Sequence, residues 1–140
     1  MRHDTLEATM RRTLLSLAML AITIPIGIAV RYAPLHLPWF WSKYLGSMLW
    51  AVALYWLIAA ILPRTKPKAL ALIAGIIALL VEFSRLTPER HIDSFRLTLA
   101  GKLLLGRFFS WKNIAAYLIA IVLTAWLDAR LLSRTHATAT

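Results

Sequence analysis

Apolar residues in this chain do not alternate with polar ones; they gather into four long blocks divided by short polar segments. The first block runs from Leu14 to Val30 behind Arg11-Arg12, and the second from Leu45 to Leu62, where Pro63 cannot extend a helical hydrogen-bond ladder. Pro67 opens the third at a position where its missing N–H costs nothing, and that block lasts to about Leu86. The fourth runs from about Asn113 to Leu132, ahead of the polar tail SRTHATAT. A spanning helix needs about 20 apolar residues, so each block is long enough with its flanks. The pattern predicts an all-α integral membrane protein, one domain over residues 1–140, with spans at about 12–31, 45–63, 67–86 and 113–132.

Details within the blocks sharpen this picture. Pro25 and Gly27 predict a kink or a frayed end in the first helix. Trp39, Phe40, Trp41 and Tyr44 suit the headgroup level ahead of the second, and Trp126 suits it near the end of the fourth. Small residues recur four apart at Ala71/Gly75, Ala74/Ala78 and Ala116/Ala120, spacing that lets membrane helices approach closely. The first block also imitates a signal peptide, with Gly27-Ile28-Ala29 as a small-x-small site, but its length and the apolar chain beyond it favour a retained span. Residues 92–109 fit none of these classes. They carry Phe95, Leu97, Leu99 and Leu103-Leu104-Leu105 beside Asp93, Arg96, Lys102 and Arg107, too polar to span alone. A re-entrant or interfacial segment is expected, broken at Gly101 or Gly106.

Composition and charge narrow the class. The chain is 60% hydrophobic, above the roughly 45–50% of soluble domains, and has no cysteine, which excludes disulfides and thiolate metal sites. The net charge of +10 would suggest nucleic acid in a soluble protein. Here the bases flank the apolar blocks, where anionic headgroups lie, so the expected partners are membrane lipids and not nucleic acid. Lys and Arg divide evenly between the two faces of a four-span topology. Discounting those folded into the charged third loop leaves both termini cytoplasmic, in a bacterial inner membrane.

Candidate chemistry concentrates between Glu82 and Lys112, which hold six bases (Arg85, Arg90, Arg96, Lys102, Arg107, Lys112) against three acids (Glu82, Glu89, Asp93). Charge at bilayer depth costs roughly 2.5–3.5 kcal/mol per residue, so it faces a protein interior, a cavity or the interface. Glu82/Arg85 and Asp93/Arg96 are each three apart and fit structural ion pairs. The surplus of base beside a Leu/Phe surface equally fits a phosphate-headed lipid, with Arg96 as the bidentate ligand. A further expectation is that Glu82 and Arg96 approach one another and join the third helix to the charged segment. No HExxH, GxSxG, Walker loop or paired metal-carboxylate motif is present, and His91 beside Arg90 reads as an interfacial residue. No cofactor or metal is therefore expected, and no catalytic residue is assigned.

The segments VEFSRL, IDSFRLTLAGKLLLGRFFSWKNIAAYLIAI and KYLGSMLWA resemble the DUF2809 family of small bacterial membrane proteins. The matching positions are Tyr44, Gly46, Leu49, Trp50, Glu82, Ser84, Leu86, Arg96, Thr98, Gly101, Leu105, Gly106, Phe109, Trp111 and Tyr117. The resemblance leads one to expect Asp where this chain has Ser47, Gln where it has Arg85 and Asp where it has Asn113. A family activity that used those acids would be absent here. The arrangement also looks like the VanZ-like superfamily, which implies a cell-envelope role. The resulting expectation is a non-catalytic binder of an anionic envelope lipid, of phospholipid or polyprenyl-phosphate type. The alternatives are a lipid-modifying enzyme using Glu82 or Asp93, or a small transporter or assembly subunit.

Overall fold

A computed structural model describes residues 2–106 and 108–137. Among the described residues there are six helices and no strand: α1 (Arg2–Tyr32), α2 (Trp39–Ile61), α3 (Pro67–Ser84), α4 (Arg90–Leu97), α5 (Leu99–Leu104) and α6 (Trp111–Ala137). Four of them, α1, α2, α3 and α6, are long and apolar enough to cross a membrane. The chain is an all-helical, multi-pass membrane protein.

The helices do not stop where hydropathy does. At 1.5 Å per residue, the 31 residues of α1 extend roughly 46 Å against a hydrocarbon core of about 30 Å, so its first turns stand outside the bilayer. It runs through Pro25 without ending there. α2 starts after Pro38, six residues ahead of its apolar block, and takes Trp39, Phe40 and Trp41 into its first turn. α3 ends at Ser84, two residues short of its block.

The core lies where α2, α3 and α6 meet. Ala51, Tyr55, Trp56 and Ala59 of α2 face Leu70, Ala74 and Ala78 of α3 and Tyr117, Ala120 and Ile121 of α6. Alanines at four-residue spacing keep these backbones close, as the small-residue pattern predicts. Gly75 belongs to the same packing, since a Cβ there would touch Leu118 at 3.9 Å. α1 packs along α2, with Gly27 against Leu49, and buries the polar face formed by Arg12, Ser16 and Thr23. The Ser16 and Thr23 hydroxyls donate to the carbonyls of Arg12 and Met19 one turn back, which satisfies them away from water. Large apolar residues elsewhere are exposed on every spanning helix, among them Ile22, Leu57, Leu72, Leu80, Ile119 and Val122. Such a surface suits acyl chains, not water.

Because the four spans alternate in direction, the two ends of the bundle differ. One end carries the starts of α1 and α3 and the ends of α2 and α6. The other carries the ends of α1 and α3, the starts of α2 and α6, and the α4–α5 segment between them.

That segment breaks at Thr98 and not at Gly101, and α5 then ends ahead of Gly106, which takes φ +65. Thr98 closes α4 and caps α5, its Oγ1 accepting the Gly101 N–H at 3.0 Å and donating to the Phe95 carbonyl at 2.6 Å. Gly101 permits the corner, because a Cβ there would lie 1.8 Å from the Phe95 oxygen. Two short helices thus fill most of the charged segment, and Arg107 lies outside the described residues.

Candidate functional site

Glu82 sits one turn before the end of α3 and is fully buried. Its Oε1 accepts the Ser110 backbone N–H at 2.7 Å and the Asn113 Nδ2 at 3.2 Å. Its Oε2 accepts from Arg85 Nη1, in a pair that shows little surface on either side. The carboxylate thus holds the chain entering α6, at the helix end whose free N–H groups favour negative charge. Asn113 is buried too, and its Oδ1 accepts from the Ser47 hydroxyl of α2 at 3.5 Å.

Arg85 is the hub of this end. Besides Glu82, its guanidinium donates to the carbonyls of Leu105 and Phe108, the latter at 3.2 Å, and to the Tyr117 hydroxyl at 3.3 Å. It ties α3, α6 and the segment after α5 together, which is why that segment runs close to it. At Gly106 the backbone has φ +65, and a Cβ would lie 2.7 Å from Arg85 Nη2. Only glycine takes both the conformation and the approach without strain.

Arg96 does not reach Glu82, contrary to the sequence-based expectation. Its Nη1 donates to Asp93 at 2.9 Å, and its Nη2 to the Ser84 carbonyl and hydroxyl at 2.8 and 3.1 Å. It is buried and satisfies the terminal carbonyl of α3, a favoured place for a cation. Arg96 therefore pins α4 to α3. Arg90, at the start of α4, is exposed.

Two cavities adjoin at this end. A polar chamber of about 460 Å³ is lined by Arg31, Lys43, Arg85 and Lys102 with Ser42, Ser47, Trp50, Asn113 and Tyr117 among its other walls. An apolar groove of about 420 Å³ runs between α1 and α2, with α5 at its side, past Leu20, Ile24, Leu49, Leu54 and Leu103. Arg31 and Trp50 line both. Nothing lies within 4 Å of a Cβ placed at Gly46, which leaves the groove open there, and Trp50 is fixed by packing on Tyr117, ring centroids 5.1 Å apart. Among the described residues, no acidic side chain lines either cavity.

Of the sequence-selected charged residues, Arg85 and Lys102 reach the chamber, whereas Arg96 and Asp93 do not line it. Arg31 and Lys43 line it without having been selected, because each reads in sequence as an ordinary flank of a span. Lys43 Nζ stands 4.8 Å from the Trp39 ring centroid and 5.5 Å from that of Tyr44. Trp111 belongs to an exposed aromatic cluster with Phe83 and Phe109.

A second polar centre lies at the opposite end of the bundle and escaped the sequence reading altogether. Asp128 of α6 is fully buried, and its Oδ2 accepts from Arg12 Nη2 at 2.7 Å and from the Tyr55 hydroxyl at 2.6 Å. Its signal was available: Asp128 is the sole acid inside the fourth apolar block, and an acid at such depth requires a partner. Among the described residues, no three His, Asp or Glu side chains converge on a metal-sized site.

The fold and site together define a four-span helical membrane protein with a buried charge network at each end and an amphiphile-shaped double cavity beside one of them. The chain belongs to DUF2809, a family of proteins of unknown function, whose profile matches residues 36–121, more than half of its length. The match takes in Glu82, Arg85, Lys43, Lys102 and the whole α4–α5 segment, and leaves Arg12, Arg31 and Asp128 outside. No solved structure matches the chain.

Proposed function

We propose that this protein binds an anionic lipid of the bacterial inner membrane, its head in the chamber and a chain in the groove. One observation carries the reading: a chamber lined, among the described residues, by four cationic and no acidic side chains opens, through shared Arg31 and Trp50, into an apolar trough. A charged head and an acyl chain are the two halves of one molecule that such a pair of cavities accommodates. Arginine and lysine both bind phosphate, arginine through a planar fork.

The enzyme alternative finds less support, because Glu82 is engaged by three donors behind Arg85 and Asp93 pairs with Arg96 outside the chamber. Both termini are placed in the cytoplasm, on the positive-inside argument, which sets the chamber at the periplasmic leaflet. Partners are membrane lipids, not nucleic acid.

The test is native mass spectrometry of the purified full chain released from a mild detergent. Wild type should retain phospholipid of the anionic classes, and Arg31→Gln with Lys102→Gln should lose it while keeping its helicity. Arg96→Lys, away from the chamber, should retain lipid as wild type does. Equal retention by wild type and the double variant would reduce these cations to interfacial anchors and overturn the proposal.

A further inference from the structure

We infer that the chamber selects a phosphate monoester head on a lipid one leaflet deep, the chemistry of a phosphatidate. This rests on the lipid-binding reading above and goes beyond it to the charge and length of the ligand.

The charge argument begins with what is left uncompensated. Of the four cations in the chamber, Arg85 is committed to Glu82. Arg31, Lys43 and Lys102 have no acidic partner among the described residues, and they arrive from three elements: the last turn of α1, the start of α2 and α5. A phosphodiester head brings a single negative charge. A phosphate monoester brings about −1.5 to −2 at neutral pH, with three acceptor oxygens. Three convergent cations match the second far better than the first.

The length argument uses the groove. On α1 it extends from Leu20 to Arg31 and on α2 from Gly46 to Leu57, eleven helical steps each, or roughly 16 Å at 1.5 Å per residue. Half of a hydrocarbon core of about 30 Å is one leaflet. The trough therefore follows a chain from the headgroup level to the bilayer midplane and no further. That suits an ordinary lipid standing in its leaflet, and gives a long polyprenyl chain no additional wall.

The chamber also makes the selection readable by pH. The charged and titratable groups facing the head are Arg31, Lys43, Arg85, Lys102, Tyr32 and Tyr117, and no histidine lines the wall. Glu82 stands behind Arg85 and does not line the chamber. Between pH 5 and 8 the group that changes charge is thus the ligand's own phosphate, whose second pKa is about 6.

The experiment places the full chain in lipid nanodiscs and competes phosphatidate against phosphatidylglycerol of identical chains, reading bound lipid by native mass spectrometry. Near pH 8 phosphatidate should be preferred about tenfold, the worth of one added charge-assisted contact. Near pH 5, where both heads carry about one charge, the preference should fall to within about threefold. Lys102→Gln should lower the preference near pH 8 and leave that near pH 5 little changed. Equal retention of the two lipids at both pH values would overturn the inference while leaving the anionic-lipid reading intact. A polyprenyl monophosphate displacing phosphatidate would overturn the leaflet-length part. Retention of no anionic lipid at all would overturn both readings.

Discussion

Asp128 offers the clearest test of how the bundle is held, because its carboxylate is fully buried and one oxygen accepts two hydrogen bonds: from Arg12 Nη2 at 2.7 Å and the Tyr55 hydroxyl at 2.6 Å. Asp128→Leu strands the Arg12 guanidinium, whose side chain is only 7% exposed, and removing one partner of a buried pair costs about 3–5 kcal/mol. Arg12→Leu strands the carboxylate and should cost a similar amount. Tyr55→Phe removes one hydrogen bond to a charged group, about 1.5–3 kcal/mol. Replacing both charges, Arg12→Leu with Asp128→Leu, behaves differently. Apolar replacement of a buried pair is neutral or stabilising by about 1–4 kcal/mol, offset by about 1–3 kcal/mol for the Tyr55 hydroxyl left without an acceptor. The double variant should therefore lie within about 2 kcal/mol of wild type, with a coupling energy above roughly 3 kcal/mol. Unfolding in mixed micelles of rising denaturing-detergent fraction, followed by far-ultraviolet circular dichroism, measures all four corners of the cycle. Single variants costing under about 1 kcal/mol and adding independently would refute the argument, and would mean that Arg12 reaches the headgroup level with water around it.

Three further outcomes are expected. Asn113→Asp replaces the donor 3.2 Å from Glu82 Oε1 with a second carboxylate and should destabilise the same micelle unfolding by at least about 2 kcal/mol, more than Asn113→Ala does. Gly101→Ala must displace the Phe95 carbonyl, so limited proteolysis should open a new cleavage site between residues 90 and 104, whereas Thr98→Ala, which loses one cap, should cost about 1 kcal/mol. A fluorescent-protein fusion after Thr140 should be bright and an alkaline-phosphatase fusion there inactive; the opposite pair would reverse the orientation and move the chamber to the cytoplasmic leaflet.

The four spans were legible because bilayer depth demands about twenty apolar residues and the sequence shows four such blocks and no others. Helix ends were not, because helix and span are different objects. Arg2 to Arg11 is polar yet helical, so hydropathy misses the first turns of α1. The corner at Thr98 was hidden for another reason. Glycine attracts attention as a breaker, but here Gly101 is what lets the corner close, and the residue that ends one helix and caps the next is a threonine.

Legibility of the site followed the same division between local and distant. Glu82 with Arg85 and Asp93 with Arg96 are neighbours three apart, and both pairs form. The expected Glu82–Arg96 contact depended on where α4 turns, and Arg96 found the Ser84 carbonyl instead. Arg31 and Lys43 were missed because a base beside a span looks like an anchor until tertiary structure shows a cavity beneath it. Asp128 was hidden because its partners, Arg12 and Tyr55, lie 116 and 73 residues away in the chain.

The geometry also bears on Ser47, Arg85 and Asn113, where the resemblance leads one to expect Asp, Gln and Asp. They are far apart in sequence and lie in one network: Ser47 donates to Asn113, Asn113 donates to Glu82, and Arg85 pairs with Glu82. Acids at 47 and 113 would crowd two more carboxylates around Glu82, and like charges at that distance in a low-dielectric site require protons or a bound cation to coexist. An amide at 113 converts that repulsion into a hydrogen bond, and a guanidinium at 85 supplies the positive charge from within the chain. The pairing of Arg85 with Glu82 leaves the chamber's uncompensated charge to Arg31, Lys43 and Lys102, of which the lipid experiments remove Arg31 and Lys102.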